Sequence, residues 1–314
     1  MTVGTVKPGP RLTDRLINGV LGIQPLFNLM RQRARTMMMR RAESMGIHWE
    51  QEVQTLLSRG GSAAIAPEWE QELAAVTNPA VRYPDYYLKN FHAYDEGNLG
   101  WLPAAEEEVA AYAVHSRLWP DAGVEGDARM RRSYHEVLQA QIAEPPRRIL
   151  DLGCGVGMNA FALQQVYPEA EMTGLDLSPY FLAIARYQAQ RRQQSVTWVH
   201  APAEATGLPD QSFDLVSTCL MFHELPQEVS IAIFKEARRL LRPGGHLAIM
   251  DMNPQSEVYA KMPPFILTLL KSTEPYLDSY FALDMEQAIE AAGFTRPTRT
   301  FNTPRHVTLV AQAI

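Results

Sequence analysis

Cysteine is scarce in this chain: Cys154 and Cys219 are the two in 314 residues. Two thiols cannot build a disulfide framework or a four-ligand zinc site, so a reducing, cytoplasmic setting is expected. Long apolar runs are also lacking. The strongest stretch, Leu16 to Met30, is interrupted by Asn18, Gly19, Gln24, Pro25 and Asn28. It falls short of the ~18 uninterrupted apolar residues that a membrane span needs. The first ten residues hold two prolines and no apolar core, which does not read as a secretory signal. His48, His115, His135, His200 and His306 show no ligand spacing, and no metal is expected. Internal repeats and low-complexity tracts are absent. With 46% hydrophobic and 20% charged residues, the chain has enough apolar surface to fold, which excludes wholesale disorder.

Acidic charge is nearly missing from the first 46 residues. They hold eight basic side chains against two acids, a balance of +6 within a chain of net charge −6, so the remainder carries −12. A basic arm on an acidic body suits an anionic partner. Its Leu/Ile/Phe face beside arginines and methionines fits an interfacial helix on an anionic membrane. It equally fits a helix docked on the acidic body, or a dimer contact. Pro8, Pro10 and Pro25 favour the membrane over one continuous docked helix. One aromatic in the arm, Phe27, and an acidic body argue against nucleic acid.

Three regions follow along the chain. Residues 1–62 form the basic helical arm, with Pro25 marking a break or restart and Gly60-Gly61-Ser62 an end. Residues 63–145 form a helical, aromatic-rich cap, with helices expected over 68–75, 104–118 and 127–142. Its stretch 83–101 holds six aromatics (Tyr83, Tyr86, Tyr87, Phe91, Tyr94 and Trp101), where the chain-wide 9% would give about two. Pro145-Pro146 marks the boundary. Residues 146–314 alternate short apolar strands (148–152, 171–175, 196–200, 213–219, 246–251) with helices (158–166, 179–191, 227–241). That alternation indicates an α/β fold, a doubly wound parallel sheet covered on both faces. An apolar insert, Tyr259 to Phe281, precedes a helix at 285–292 and closing strands at 298–302 and 307–311.

The chemistry concentrates in RRILDLGCGVGMNA, residues 147–160. An apolar strand ends in Asp151, and Gly153, Gly155 and Gly157 follow at alternate positions before a helix. Glycine tolerates positive φ and lets a backbone approach a ligand closely, and the first βα turn of such a sheet is where nucleotide-like ligands bind. The spacing is G-x-G-x-G, not the G-x-G-x-x-G of dinucleotide sites. An acid two residues before the first glycine would repel a pyrophosphate and suit a cationic amino-acid end. Nineteen residues after Gly157, Asp176 ends the second strand, where a carboxylate can accept both ribose hydroxyls. Ribose, amino group and no pyrophosphate together describe S-adenosylmethionine.

The segments DLGCGVG, TGLDLS, LPDQSFDLV and LRPGGHL, in this order and spacing, resemble the class I S-adenosylmethionine-dependent methyltransferases over about residues 147–314. Within that family the chain looks most like the ubiquinone/menaquinone-biosynthesis type, which methylates small, often lipophilic molecules. The resemblance implies a Rossmann-like seven-stranded sheet with its last strand antiparallel. It also implies S-adenosyl-L-methionine as cofactor and a small aromatic or lipophilic acceptor. Asp151 would hold the methionine amino group, Gly153, Gly155 and Gly157 would let the loop lie against the cofactor, Asp176 would bind the ribose, and Leu177 would pack on the adenine. Pro202 stands where many relatives have an Asp for the adenine amine, so that contact would fall to the Ala203 backbone or to Glu204. Cys219 closes the fourth strand beside the same site.

After that strand comes CLMFHELP. His223 can act as a general base, its ordinary pKa lying near 6.5. Alternatively His223 or Glu224 fixes the loop by hydrogen bonding. Residues 83–101 and the insert after Asp251 are the two candidates for an acceptor pocket, with packing of the N-terminal region on the core as the other reading of both. A non-catalytic cofactor-binding module recruited to a membrane or partner is the alternative function.

Overall fold

The computed structural model describes residues 24–90, 92 and 94–314. The expectations placed on residues 1–23 and on Phe91 lie outside the described residues. The strands are β1 (Arg148–Leu152), β2 (Glu171–Asp176), β3 (Val196–His200), β4 (Phe213–Cys219), β5 (Leu241–Met252), β6 (Thr298–Thr300) and β7 (His306–Gln312). They form one seven-stranded sheet in the order β3-β2-β1-β4-β5-β7-β6. β1 to β5 run parallel, and β7 is antiparallel to both β5 and β6. The reversed last strand is the one expected.

Helices α1 (Gln24–Glu43), α2 (Trp49–Ser58), α3 (Glu68–Val76), α4 (Trp101–His115) and α5 (Gly126–Gln141) precede the sheet. α6 (Met158–Val166), α7 (Pro179–Arg192) and α8 (Gln227–Leu240) alternate with its strands. α9 (Glu257–Ala260), α10 (Pro264–Thr273), α11 (Leu277–Ala282) and α12 (Met285–Ala291) lie between β5 and β6. Local chemistry sets their starts. Ser178 caps α7 by accepting from the Phe181 N–H, and Pro179 follows at the first helical position, where its missing N–H would have had no partner.

The two-residue period of the strands sorts their side chains to two cores. Leu150, Val216 and Leu247 face Ile233, Phe234 and Ala237 of α8. Their neighbours Ile149, Leu215 and Ala248 face Met130, Tyr134 and Leu138 of α5 and Ala160 and Leu163 of α6. Each large apolar side chain so buried contributes about 1.5–3 kcal/mol. The Tyr134 hydroxyl is satisfied within this core, by Ser217 Oγ at 2.8 Å and the Ala248 carbonyl at 3.2 Å. The sheet's helix layers therefore include α5, which lies before Pro145-Pro146.

A third core joins Trp49 and Val53 of α2, Trp69 of α3, Val109 and Ala113 of α4, and Ile184 of α7. α1 lies across this assembly, against α4 and α10. It is one continuous docked helix. Pro25 falls in the first turn of α1, where a missing N–H breaks nothing, so it does not stop this helix from docking; Pro8 and Pro10 lie outside the described residues. Arg31, itself buried, pairs with Asp95 at 3.2 Å. Arg35 pairs with buried Glu106, and Arg41 donates to the Ala113 carbonyl at 3.2 Å. Among the described residues no helix is long and apolar enough to cross a membrane.

Candidate functional site

β1 delivers the chain into the Gly153–Gly157 turn at the carboxyl end of the sheet. Gly153 and Gly155 take φ of +65° and +54°, in the left-handed region that disfavours a Cβ. A side chain at Gly153 would run into Met221, and one at Gly155 into the Glu107 carboxylate. Asp176 fastens this turn. Its Oδ2 accepts the Gly155 N–H at 2.9 Å and its Oδ1 the Ser178 N–H at 2.8 Å. Glu107, on α4, accepts the Val156 N–H at 2.9 Å. Behind the turn, buried Asp151 accepts from Asn159 Nδ2 at 2.6 Å, and its Oδ2 has no partner.

Three carboxylates thus surround one glycine turn, and among the described residues none of them forms an ion pair. Burial away from water pushes Asp151 up to about 7, Asp176 up to about 6 and Glu107 up to about 8. Desolvation penalises their charge, and a cation placed among them would restore it.

The turn opens into a cavity of about 460 Å³. Leu177 and Ala203, beyond β2 and β3, line it beside the glycines. Leu177 is held from behind, its carbonyl accepting from His200 Nε2 at 3.1 Å. Cys219, the last residue of β4, and Met221 and His223 just beyond it line it as well. Met37 and Met38 of α1, Tyr86, Tyr87 and Tyr94 of the cap, and Tyr259, Met262 and Ile266 of the insert supply apolar wall. The aromatic stretch is therefore divided: those three tyrosines face the cavity, whereas Trp101 packs on Trp69 and Tyr180.

His223 is buried, with Nδ1 2.7 Å from Asp251 Oδ1. Asp251 also accepts the Phe222 and His223 N–H groups through Oδ2, at 2.8 and 3.3 Å. Burial alone would lower the histidine, but Asp251, with Glu274 and Glu224 nearby, outweighs it and raises His223 to about 9. The ring is a fixed cation at neutral pH. Nearby, ligand atoms of His92, Glu224 and Glu274 lie within 4.8 Å of one another. Desolvation opposes the charge of His92, but the two glutamates lift it to about 10. His92 Nε2 lies 3.4 Å from Glu224 Oε1 and 3.7 Å from Glu274 Oε1, so the three groups pair with one another.

Of the residues expected from the sequence, Gly153, Gly155, Asp176, Leu177, Ala203, Cys219 and His223 all line this one cavity. Asp151 stands one layer behind it. Gly157 does not line the cavity: a Cβ there would meet Phe161 and Trp198, so its smallness serves helix–strand packing. Glu204 stands behind the lining, with one carboxylate oxygen accepting from the cavity residue Tyr86 at 2.7 Å and the other without a partner. Asp214 is structural, accepting the Arg147 and Arg148 N–H groups at 2.7 and 3.0 Å. Sequence reasoning missed Glu107, Arg131 and Asp251. Glu107 sits in a Glu-Glu-Glu run that reads as a solvated helix face, and Arg131 in a helix with no motif. Asp251 was legible as the polar end of an apolar strand.

A glycine turn ringed by acids at the open end of this sheet defines a cofactor-binding α/β protein. A family described as "Methyltransferase domain" matches residues 149–245. A demethylmenaquinone methyltransferase of Thermus thermophilus is 36% identical over 129 residues, 41% of this chain and 56% of the relative. An uncharacterized methyltransferase of Synechocystis sp. is 31% identical over 185 residues, 59% of this chain and 82% of the relative. The chain spans about half the length of the demethylmenaquinone methyltransferases that it matches. The crystal structure of the PH0226 protein from Pyrococcus horikoshii shares the fold, with a TM-score of 0.50 and 18% identity over 64% of this chain and 99% of the other. The chain belongs to the S-adenosylmethionine-dependent methyltransferase family.

Proposed function

We propose that this chain binds S-adenosylmethionine against the glycine turn and transfers its methyl group to a small, lipophilic, aromatic acceptor. The observation that carries this reading is the convergence of Asp151, Asp176 and Glu107 on one turn, none of them in an ion pair among the described residues. Such a site favours a cationic ligand and repels a pyrophosphate. When bound, S-adenosylmethionine supplies an electrophilic methyl group on a positively charged sulfur. Asp176, after two backbone donors, retains lone pairs for the ribose hydroxyls. Leu177 and Ala203 offer the adenine an apolar slot. Asp151, with an oxygen to spare, holds the amino group directly or through water. Cys219 is a small wall residue, its thiol kept neutral by burial, which pushes it up to about 12.

Methyl transfer needs in-line placement above all, worth ~7–11 kcal/mol in favourable cases. His223 contributes as a cation: fixed through Nδ1 by Asp251, it stabilises an oxyanion on an acceptor that ionises, such as a phenol or a quinol. The name of the Thermus relative and the apolar, tyrosine-lined wall both support a quinol-like acceptor. The described part of the arm serves as wall. Among its described residues, Arg31, Arg35 and Arg41 each make a contact inside the chain, whereas Arg33 and Arg40 are exposed.

The test is incubation of the full chain with methyl-labelled S-adenosylmethionine and a panel of quinols and phenolic lipids. Label passing into an organic-extractable product is the expected result. Tight binding of S-adenosylhomocysteine without label transfer to any acceptor would favour the non-catalytic module. No binding of either adenosyl compound would overturn the reading.

A further inference from the structure

We infer that Arg41 and Arg305 form an oxyanion site at the end of the cavity away from the glycine turn, and that the methyl acceptor carries a carboxylate or phosphate group to fill it. This rests on the proposed methyltransferase reading and adds the acceptor's chemical class to it.

α4 measures the cavity. Glu107 sits over the glycine turn, where its carboxylate accepts the Val156 N–H. Ala110, Ala111 and Val114 continue the same lining stripe, at the spacing of one helical face. From Glu107 to Val114 a rise of about 1.5 Å per residue carries the helix axis about 10 Å. There two arginines from opposite ends of the chain meet the last carbonyls of α4. Arg41 Nη1 donates to Ala113 at 3.2 Å, and Arg305 Nη2 donates to Val114 at 3.0 Å. Carbonyls at a helix C-terminus lack intrahelical partners and attract cations, which accounts for the position of the pair.

It does not account for their remaining donors. Each guanidinium gives the helix one N–H, and an arginine carries five. Both side chains line the cavity, and among the described residues neither has a carboxylate partner. Arg131, the third arginine of the lining, shows the contrast: Asp127 accepts from its Nε at 2.9 Å and from its Nη2 at 3.3 Å. Asp127 is further engaged by His115, whose Nδ1 lies 2.8 Å away. Burial lowers the pKa of Arg41 and of Arg305, and Arg41 also feels the repulsion of Arg305 and of exposed Arg117. An oxyanion would relieve both effects, and arginines bind carboxylate and phosphate with short, charge-assisted hydrogen bonds.

The rest of the cavity fits the same molecule. Met37, Met38, Met262 and Ile266 give it an apolar wall. An acceptor with an acidic hydroxyl for His223, an apolar body for the methionines and an oxyanion for the arginines uses all three features. Both arginines lie outside residues 149–245, the stretch that the family matches.

The test is calorimetric titration of the full chain, saturated with S-adenosylhomocysteine, with para-hydroxyphenylalkanoic acids of graded chain length, their neutral methyl esters and the matching alkyl phosphates. In wild type the best anionic probe should bind at least tenfold tighter than its ester. The tighter of the carboxylate and phosphate series names the group. Arg305→Gln and Arg41→Gln should each lose about 10- to 150-fold toward the anionic probes, the range for one charge-assisted hydrogen bond. Ester and S-adenosylhomocysteine affinities should stay unchanged, and Arg305→Lys should recover part of the loss. If a variant fails to fold, the matched probes on wild type still decide. Acid and ester binding alike in wild type, equal loss for both in the variants, or no probe binding to the loaded chain would overturn the oxyanion site and leave the cofactor reading intact. Failure of S-adenosylhomocysteine itself to bind would overturn the cofactor reading, and the site with it.

Discussion

On the sheet side of the cavity, the polar groups sit at strand ends and are held by neighbours close in sequence or in register. Asp176 is two residues from the Ser178 N–H that it accepts and one strand from Gly155. On the helical side, contacts reach across the chain: Arg35 to Glu106, Tyr86 to Glu204, Arg31 to Asp95. The sheet side is a local device on a rigid frame and can lose a ligand contact without losing its shape. The helical side exists because α1, α4 and α10 pack together, so its stability and the shape of the cavity are one property.

The largest effect expected from this difference lies on the helical side. Arg35→Ala would leave the Glu106 carboxylate, 2% exposed, with the Tyr94 hydroxyl as its remaining partner. Breaking one partner from a buried ion pair costs about 3–5 kcal/mol, or a drop of roughly 10 °C in melting temperature for a chain of this size. Arg33→Ala, at an exposed position of the same helix, should change stability by no more than about 0.5 kcal/mol. Thermal melts of the two variants give the contrast. Equal, small effects would show α1 undocked in solution and reopen the membrane reading, to be followed by sedimentation with anionic vesicles.

Asp176→Asn probes the sheet side and should act on binding instead. Loss of a charge-assisted hydrogen bond costs about 1.5–3 kcal/mol, roughly 10- to 150-fold in affinity. Calorimetry with S-adenosylhomocysteine reads it, and the melting temperature without ligand should move far less than in Arg35→Ala. A large melting loss with unchanged affinity would reduce Asp176 to a staple for the turn.

The same division governs what could be read from the sequence. β1, β3, β4 and α6 begin and end where the apolar pattern places them, because a parallel strand between two helix layers must be apolar on both faces. β5 begins at Leu241, five residues before the expected His246. Arg242-Pro243-Gly244-Gly245 looks like a turn, yet Leu241 pairs with Phe213 across an irregularity in the ladder. Asp176, Leu177 and the turn glycines were legible because motif and chemistry coincide within a few residues. Glu107 and Arg131 were not, because a charged residue on an amphipathic helix carries no sign of which distant loop it will meet. The same ignorance applied to α1: its one proline, Pro25, was visible, but the acids that dock its arginines, Asp95 and Glu106, belong to another region.

The smallest effect concerns His223, where the two sides meet. Its pKa of about 9 lies above the ordinary 6.5. A histidine raised on folding adds stability that is full below pH 6.5 and is lost as pH rises through about 9. Thermal melts between pH 6.5 and 9 should therefore slope downward, and His223→Gln should make that slope shallower, the remainder belonging to the other raised groups, Asp151, Glu107 and His92. Turnover separates the chemical roles. If His223 acts as a cation, the active form falls only from about 99% to 91% between pH 7 and 8, so the rate scarcely changes before declining near pH 9. If it were a general base, the deprotonated fraction would rise about tenfold over the same interval, and the rate with it. An acceptor that ionises by itself near pH 8 would also raise the rate. His223→Gln distinguishes the cases: the slope survives in the variant when it belongs to the acceptor and vanishes when it belongs to the imidazole. A flat profile in wild type, with turnover lowered at every pH in the variant and cofactor affinity unchanged, is the outcome that the Asp251 pairing predicts.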